Sequence, residues 1–269
     1  MTTRSDPLAV DAVRTFEADY RVRFDEAGPD GFLRTSGYMR YAQDVAWRHS
    51  DALSFGREWY AERALTWLVR AAELAILEDV PMGTILTART LVVGMRRVFA
   101  RRRGEFRLPD GRLAGWVHTD WVMIDGRGAL TRIPPIFGDM FGGDSMTGQV
   151  GRVALPPAAM KTTARRFRVR PQELDPLDHV NNAVYLDWLE EAILDAASGG
   201  EGSRAIAMRP RHYRLEFAMA AAADAEVEAS AWADERGWSQ RVVDATTGTD
   251  LFRARLEPGD GQGQEEEER

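Results

Sequence analysis

The chain repeats itself, and the repeat limits what it can fold into more than any single segment does. Tyr20-Arg21-Val22-Arg23-Phe24 recurs as Phe167-Arg168-Val169-Arg170-Pro171, an offset of 147 positions. Held without a gap, that offset pairs Glu26 with Glu173, Pro29 with Pro176, Tyr38 with Tyr185, Met39 with Leu186 and Tyr41 with Trp188. A register kept from one end of this stretch to the other predicts two related units in one chain.

Each half reads the same way: a short alternating strand, a turn-rich loop, then apolar residues at helical spacing. In the second half Tyr185, Trp188, Leu189, Ala192, Ile193 and Ala196 share one face, and the helix closes near Gly199-Gly200. In the first, Tyr38, Tyr41, Ala42, Val45 and Ala46 do likewise. Strands then follow over Thr66–Leu77, Leu86–Val93, Val98–Leu108 and Ala114–Ile124, with a hairpin turn at Asp110-Gly111 and a stop at Asp125-Gly126. The matching strands of the second half are His212–Phe217, Ala225–Trp232, Ser239–Asp244 and Leu251–Leu256, with a turn at Thr247-Gly248.

One long helix and a run of strands in each half predict an α+β layer, an antiparallel sheet wrapped on a central helix. The stretch from Pro134-Pro135 to Pro156-Pro157 is rich in Gly, Pro and Ser, lacks periodicity, and reads as the connection. The expected division is therefore 1–137 for the first unit, 138–160 for the linker, 161–257 for the second unit and 258–269 for a tail. Asp260 and Glu265–Glu268, against Arg269 alone, place more than half of the net charge of −7 in that tail, as expected of a solvated disordered end.

Composition removes several chemistries. With 0 cysteines there is no disulfide framework, no thiolate metal site and no cysteine nucleophile, so any catalysis uses oxygen or imidazole groups. Lys161 is the only lysine, which leaves little room for Schiff-base or phosphate-loop chemistry, and no Gly-x-x-x-x-Gly-Lys or strand-linked Gly-x-Gly-x-x-Gly occurs. His49, His118 and His212 lack ligand spacing, so neither a metal nor a cofactor is expected. Gly143-Asp144-Ser145-Met146-Thr147 fails the serine-hydrolase elbow at its last position. No run nears the roughly 18 apolar residues of a membrane span, and Met1–Pro7 lacks a secretory layout, so a cytoplasmic protein without membrane contact is expected. The body is not basic overall, which argues against nucleic acid.

The residues that carry chemistry lie between Glu173 and Tyr185. Asp175, His179, Asn181 and Asn182 place a carboxylate, an imidazole and two carboxamides in the loop that enters the second helix. The N-terminus of a helix presents unpaired N–H groups and the positive end of its dipole, so an oxyanion developing there is stabilised. At the repeat offset the first half has Gly28, Phe32, Arg34 and Thr35 at these four positions. It keeps the scaffold and lacks the polar candidates, which predicts one active site per chain. Tyr38, Tyr185 and Trp188 read as core, Glu190 and Glu191 as a solvated helix face, and Asn181 and Asn182 as helix caps in their own right. The run Arg96-Arg97-Val98-Phe99-Ala100-Arg101-Arg102-Arg103 reads as a positive stripe on a strand, either a charged edge or a docking surface for an acidic partner.

The pattern Asp-x-x-x-His-Val-Asn-Asn-x-x-Tyr, followed by Leu186-Asp187-Trp188-Leu189-Glu190-Glu191-Ala192, resembles the hotdog-fold thioesterases, and the tandem layout resembles the acyl-acyl-carrier-protein (acyl-ACP) thioesterases in particular. Tyr38–Gln43 and Leu65–Val69 support the likeness in the first half. The resemblance implies a tandem double hotdog, with the acyl pocket in the first unit and the active site in the second. It implies that Asp175 is a nucleophile or a general base on water, that His179 orients or polarises the site, and that the N–H near Asn182 faces the thioester oxygen. It also implies acyl carrier protein, or alternatively coenzyme A, as the carrier of the substrate, and it is compatible with a homodimer. Two departures stand out: Leu177 replaces the asparagine, and Ala220 the glutamate, that plant-type relatives carry. Asp178 is a candidate second carboxylate, and a non-catalytic acyl-binding protein is the alternative outside enzymes.

Overall fold

The computed structural model describes residues 13–142, 152–158, 162–197 and 200–259. Lys161, Gly199, the Gly143–Thr147 segment and the tail from residue 260 onward lie outside them. The chain divides into two units. Unit 1 holds the residues up to Arg70 together with Val80–Val150, and unit 2 holds Ala71–Asp79 together with the remainder from Gly151.

Unit 1 opens with strand β1 (Thr15–Arg21), a 3-10 turn at Phe24–Glu26 and the long helix α1 (Thr35–Ala52), followed by a short helix α2 (Arg57–Glu62). Strands β2 (Leu65–Ile76), β3 (Ile85–Arg96), β4 (Phe99–Arg107) and β5 (Leu113–Asp125) follow, in the sheet order β1-β3-β4-β5-β2. β1, β3, β4 and β5 pair antiparallel with their neighbours in that order. Alternate residues of β4 turn inward, so Ala100, Gly104 and Phe106 are buried, and Tyr38 of α1 meets the Phe106 ring edge-on at 5.3 Å.

Unit 2 repeats the plan. β6 (Thr163–Arg168), a 3-10 turn at Pro171–Glu173 and the helix Asn182–Ala196 stand at the repeat offset from their counterparts. Strands β7 (Arg211–Phe217), β8 (Glu226–Asp234), β9 (Gly237–Asp244) and β10 (Asp250–Pro258) complete a sheet in which Ala71–Ile76 of β2 pairs with β7, and the order runs on through β10, β9 and β8 to β6. Leu186, Leu189 and Ile193 of the helix are fully enclosed, and Tyr185 packs on Trp188, Phe217 and Phe252. Each such side chain contributes about 1.5–3 kcal/mol by leaving water. Both units are hotdogs, an antiparallel sheet around one long helix.

Four expectations need correction. The stretch read as a linker opens with a helix, α3 (Pro135–Phe141), whose Phe137 and Phe141 are buried in unit 1. Seven residues give too few helical turns for periodicity to register, and Pro134-Pro135 reads as a breaker although Pro at the first helical position is favourable. The second half of β2 belongs to unit 2, because its partners are β7 residues more than a hundred positions away. The long helix of unit 2 ends at Ala196 and is followed by another short helix, Glu201–Ala207. Pro258, assigned to the tail, closes β10 opposite Arg211.

The same bracket joins loop to helix in both units. Glu26 accepts from the Arg23 N–H at 2.9 Å and the Tyr41 hydroxyl at 2.6 Å; Glu173 accepts from the Arg170 N–H at 2.7 Å and Trp188 Nε1 at 3.2 Å. Glu26→Ala removes the oxygen, Oε2, that accepts both bonds and leaves a buried hydroxyl unpaired, a cost of about 1–3 kcal/mol. The expected result is a lower urea midpoint for Glu26→Ala and a near-normal one for Glu26→Gln, which keeps an oxygen in place.

Candidate active site

The loop that enters the second unit's long helix, α4 (Asn182–Ala196), is a three-residue hairpin. Leu174 and Val180 form its closing bridge, which leaves Asp175 and His179 facing each other across its neck. The Asp175 N–H donates to the His179 carbonyl at 2.8 Å, and the Asp178 N–H to the Asp175 carbonyl at 3.0 Å. Asp178 sits in the left-handed region at φ 61°, the residue that completes such a loop after a type I turn. Directly opposed residues of a hairpin project to the same face, which sets Asp175 and His179 on one side of the loop.

One carboxylate oxygen of Asp175 is spent on the turn. Oδ1 accepts from the Leu177 N–H at 2.8 Å and, at 3.4 Å, from that of His179. None of the described residues donates to Oδ2. The two residues are half-buried, with enough surface left to meet a ligand.

The helix N-terminus next to them is capped with one donor to spare. Asn181 is the N-cap and its side chain accepts from the Ala183 N–H at 2.9 Å, while the Val184 N–H returns to the Asn181 carbonyl at 2.9 Å. Among the described residues nothing accepts from the Asn182 N–H. That leaves one unpaired donor at the positive end of a four-turn helix, beside the Asp175–His179 pair.

The segment after β7 forms the opposite wall. The Val180 N–H donates to the Ala221 carbonyl at 3.2 Å, Ala222 bridges to His179, and the Ala221 N–H donates to the Tyr185 hydroxyl at 3.2 Å. Ala220 lies in this segment, beyond the end of β7, so the position where plant-type relatives carry glutamate adjoins the site and here bears a methyl group. Burial pushes the Tyr185 phenol up to about 12, with the nearby Asp175 charge adding to the shift, so its proton stays on. Tyr185 is core, as expected from its spacing, yet its hydroxyl anchors a wall of the site. Helical periodicity cannot show this, because it reports which face is buried and not where the far end of a side chain arrives.

Other expectations change on inspection. Leu177 and Asp178 are exposed at the loop tip, so neither joins the Asp175–His179 face. Glu190 is no solvated residue: it accepts from the Tyr213 hydroxyl at 2.5 Å and lies 3.8 Å from the buried Arg211 guanidinium. Glu191 is exposed and pairs with Arg165. The arginine run is not one strand, because Arg96 ends β3, Arg97 turns the corner at φ 56°, and the rest lies on β4. There Arg101 is held bidentately by Asp120 at 2.6 and 2.8 Å, and Arg103 pairs with Glu105 at 3.0 Å. Sheet neighbours therefore neutralise much of the stripe.

Unit 1 supplies an internal control. The Gly28 N–H donates to the Phe32 carbonyl at 2.8 Å, the Gly31 N–H to Gly28 at 2.9 Å, the Arg34 N–H to Glu26 at 3.0 Å, and the Leu33 N–H to Val80 at 2.9 Å. The first three have exact counterparts at the offset of 147 in unit 2, and the fourth keeps its donor there, Val180, with the Ala221 carbonyl as acceptor. The backbone loop thus forms without Asp175, His179 or Asn181, and Gly31 takes the left-handed place of Asp178 at φ 82°.

Comparison with known proteins follows the same division. A family model for the acyl-ACP thioesterase N-terminal domain matches residues 13–135, and one for the C-terminal domain matches residues 158–248. A 12:0-ACP thioesterase from Umbellularia californica is 20% identical, with a TM-score of 0.71 over 91% of this chain and 98% of its own. An acyl-ACP thioesterase from Bacteroides thetaiotaomicron is 14% identical, with a TM-score of 0.74 over 92% and 98%. At these identities the likeness speaks for the fold. A search of curated proteins by sequence finds no match.

The left-handed residue gives a test of the loop. An L side chain there costs about 1–2 kcal/mol, of which the backbone entropy of glycine takes back about 0.5–1. Asp178→Gly should therefore leave the fold equally or up to about 1 kcal/mol more stable, read as the thermal midpoint; a fall of several degrees would mean that the Asp178 carboxylate holds the loop.

Proposed function

The chain belongs to the acyl-ACP thioesterase family and hydrolyses fatty acyl-ACP to the free acid and the carrier thiol, and from that premise we propose that Asp175 is its general base. The observation that carries this reading is the division of labour within one carboxylate. Oδ1 is fixed by the Leu177 N–H while Oδ2 is left to hold a water. The neck of the hairpin keeps the His179 imidazole next to it, where it orients that water or polarises the carbonyl.

The reaction needs little more. A thioester has weak resonance, so an aligned water and a donor for the carbonyl oxygen suffice. Water loses its proton to Asp175 as its oxygen attacks the carbonyl carbon. The negative charge that builds on the carbonyl oxygen is met by the Asn182 N–H at the head of α4. Collapse expels the thiolate, which takes up the proton that Asp175 holds. A positioned base is worth about 10² to 10⁴ in rate and an oxyanion donor about 10² to 10³. Asn181 keeps that donor aimed by capping the helix. With Leu177 at the exposed tip and Ala220 in the wall, no second carboxylate shares the work, so catalysis rests on Asp175.

Unit 1 repeats the loop without its polar groups, which supports a single site per chain and a first unit given over to the acyl chain. Acyl carrier protein is the carrier in this reading, with coenzyme A as the second choice. No helix among the described residues is long and apolar enough to cross a membrane, in keeping with a cytoplasmic enzyme. A homodimer joined through sheet edges fits the same reading.

Asp175→Asn tests the base without disturbing the turn, since the amide oxygen still accepts from Leu177. Thiol release from a panel of acyl-ACP and acyl-coenzyme A substrates should fall by about 10² to 10⁴ in kcat with an unchanged thermal midpoint; turnover within a few fold of wild type would remove Asp175 from the mechanism. Asn181→Ala should cost about 1 kcal/mol in stability through the lost cap, and lower kcat as the helix end frays.

A further inference from the structure

Unit 1 turns one arginine inward that has no carboxylate partner among the described residues. Arg102 shares the inward parity of Ala100, Gly104 and Phe106 on β4, so its side chain runs toward α1. Its side chain is half-buried, and desolvation pulls its pKa down to about 10. No carboxylate among the described residues pairs with it. The neighbouring and other buried arginines differ: Arg101 has Asp120, Arg103 has Glu105, and Arg255 has Asp234 at 2.5 Å.

The partner Arg102 does have is neutral. Arg102 Nη1 lies 2.9 Å from His49 Nδ1, and His49 Nε2 lies 2.9 Å from the Val13 carbonyl. A carbonyl only accepts, so Nε2 carries the proton and Nδ1 is the bare acceptor for the guanidinium. Burial and the Arg102 charge hold His49 down at about 4, so the ring brings no counter-charge and takes none on.

A phenol close enough to feel the same charge lies in unit 1. The Tyr60 hydroxyl accepts from Trp67 Nε1 at 3.1 Å, interacts electrostatically with Arg102, and is kept protonated by burial. Tyr60 belongs to an apolar cluster with Phe55, Met123 and Phe137, against which Trp67 and Trp121 pack. A guanidinium and a phenol at one end of an aromatic-lined core match a carboxylate on an apolar chain. A desolvated cation without a counter-charge is a burden on stability that an anionic ligand relieves.

We propose that unit 1 contains a binding site for a carboxylate carried on an apolar chain, with Arg102 as its anchor, Tyr60 as second donor and His49 as the neutral support of the guanidinium. The inference rests on the reading of unit 1 as the acyl-binding unit. Two sources share this chemistry: an acyl chain ending in a carboxylate, and the carboxylate of the released fatty acid.

The test is a tryptophan-fluorescence titration of the full chain with decanedioate, decanoate and decanol, for wild type, Arg102→Met and Tyr60→Phe. Both carboxylates should bind at least 10-fold more tightly than decanol, and Arg102→Met should weaken them about 10- to 100-fold while leaving decanol unchanged. Tyr60→Phe should give a smaller loss in the same direction. The thermal midpoint of Arg102→Met should rise by about 2 °C or more, because a buried charge is replaced by a side chain of similar shape. Equal binding of decanol and the carboxylates overturns the proposal, as does a fall in the midpoint with unchanged binding.

Hydrolysis then identifies the source. Faster turnover of 9-carboxynonanoyl-ACP than of decanoyl-ACP, lost in Arg102→Met, assigns the site to the far end of the substrate. Equal turnover with inhibition by decanoate, relieved in Arg102→Met, assigns it to the product. Either result supports the site. Absence of hydrolysis in both assays would instead count against the thioesterase reading, while the titration, which needs no turnover, would still judge the site.

Discussion

A carboxylate that bridges a loop to a helix sets the geometry on which each unit depends. Glu173 receives the Arg170 N–H and the Trp188 indole, and its own carbonyl receives the Asn181 N–H at 2.9 Å. Three pieces of chain that could otherwise drift, the strand exit, the hairpin and the first turns of α4, are held by one residue. Glu26 does the same for α1 through Arg23, Arg34 and Tyr41. Each bond is modest in net terms, but those from the Tyr41 hydroxyl and the Trp188 indole satisfy partly buried donors that would be costly to leave open. The hairpin neck and the helix end, which are the two halves of the candidate site, are aligned by that closure.

Against this shared frame the two units differ in where they place unpaired polar groups. Unit 2 gathers them at the helix entrance, with the Oδ2 atom of Asp175 and the N–H of Asn182 open toward one face. Unit 1 presents glycine and phenylalanine at that entrance and turns inward Arg102, which has no carboxylate partner among the described residues. The frame tolerates both arrangements because the backbone bonds of the loop do not involve the side chains of Asp175, His179 or their counterparts, apart from the local turn made by Asp175 itself. A scaffold that holds without its functional groups is free to place them at either end.

Much of this could be read before any coordinates. The repeat, the long helix of each unit, the strands and the loop residues Asp175, His179, Asn181 and Asn182 all show in the order of residues, because periodicity and turn chemistry act over a few positions. What could not be read concerns partners. Arg101 and Arg103 look like one positive stripe until Asp120 of β5 and Glu105 of β4 are seen beside them. Glu190 looks solvated until Tyr213 and Arg211 arrive from β7. Helix α3 looks like a linker because its burial depends on the aromatic cluster of unit 1 and not on its own seven residues.

The sequence by itself determined that there are two units, that each is a sheet on one helix, and that only the second carries a carboxylate, an imidazole and a cap at the helix entrance. These are local properties, written in spacings of two, of three to four, and of 147 residues. Tertiary structure alone decided which donors and acceptors are left over. That Asp175 keeps one oxygen free, that the Asn182 N–H is unpaired, and that Arg102 meets a neutral imidazole and no carboxylate follow from the neighbours that the described residues place in space. Charge and hydrogen bonding are satisfied by whatever lies within about 3 Å, and most of those neighbours are brought in by strands far away along the chain.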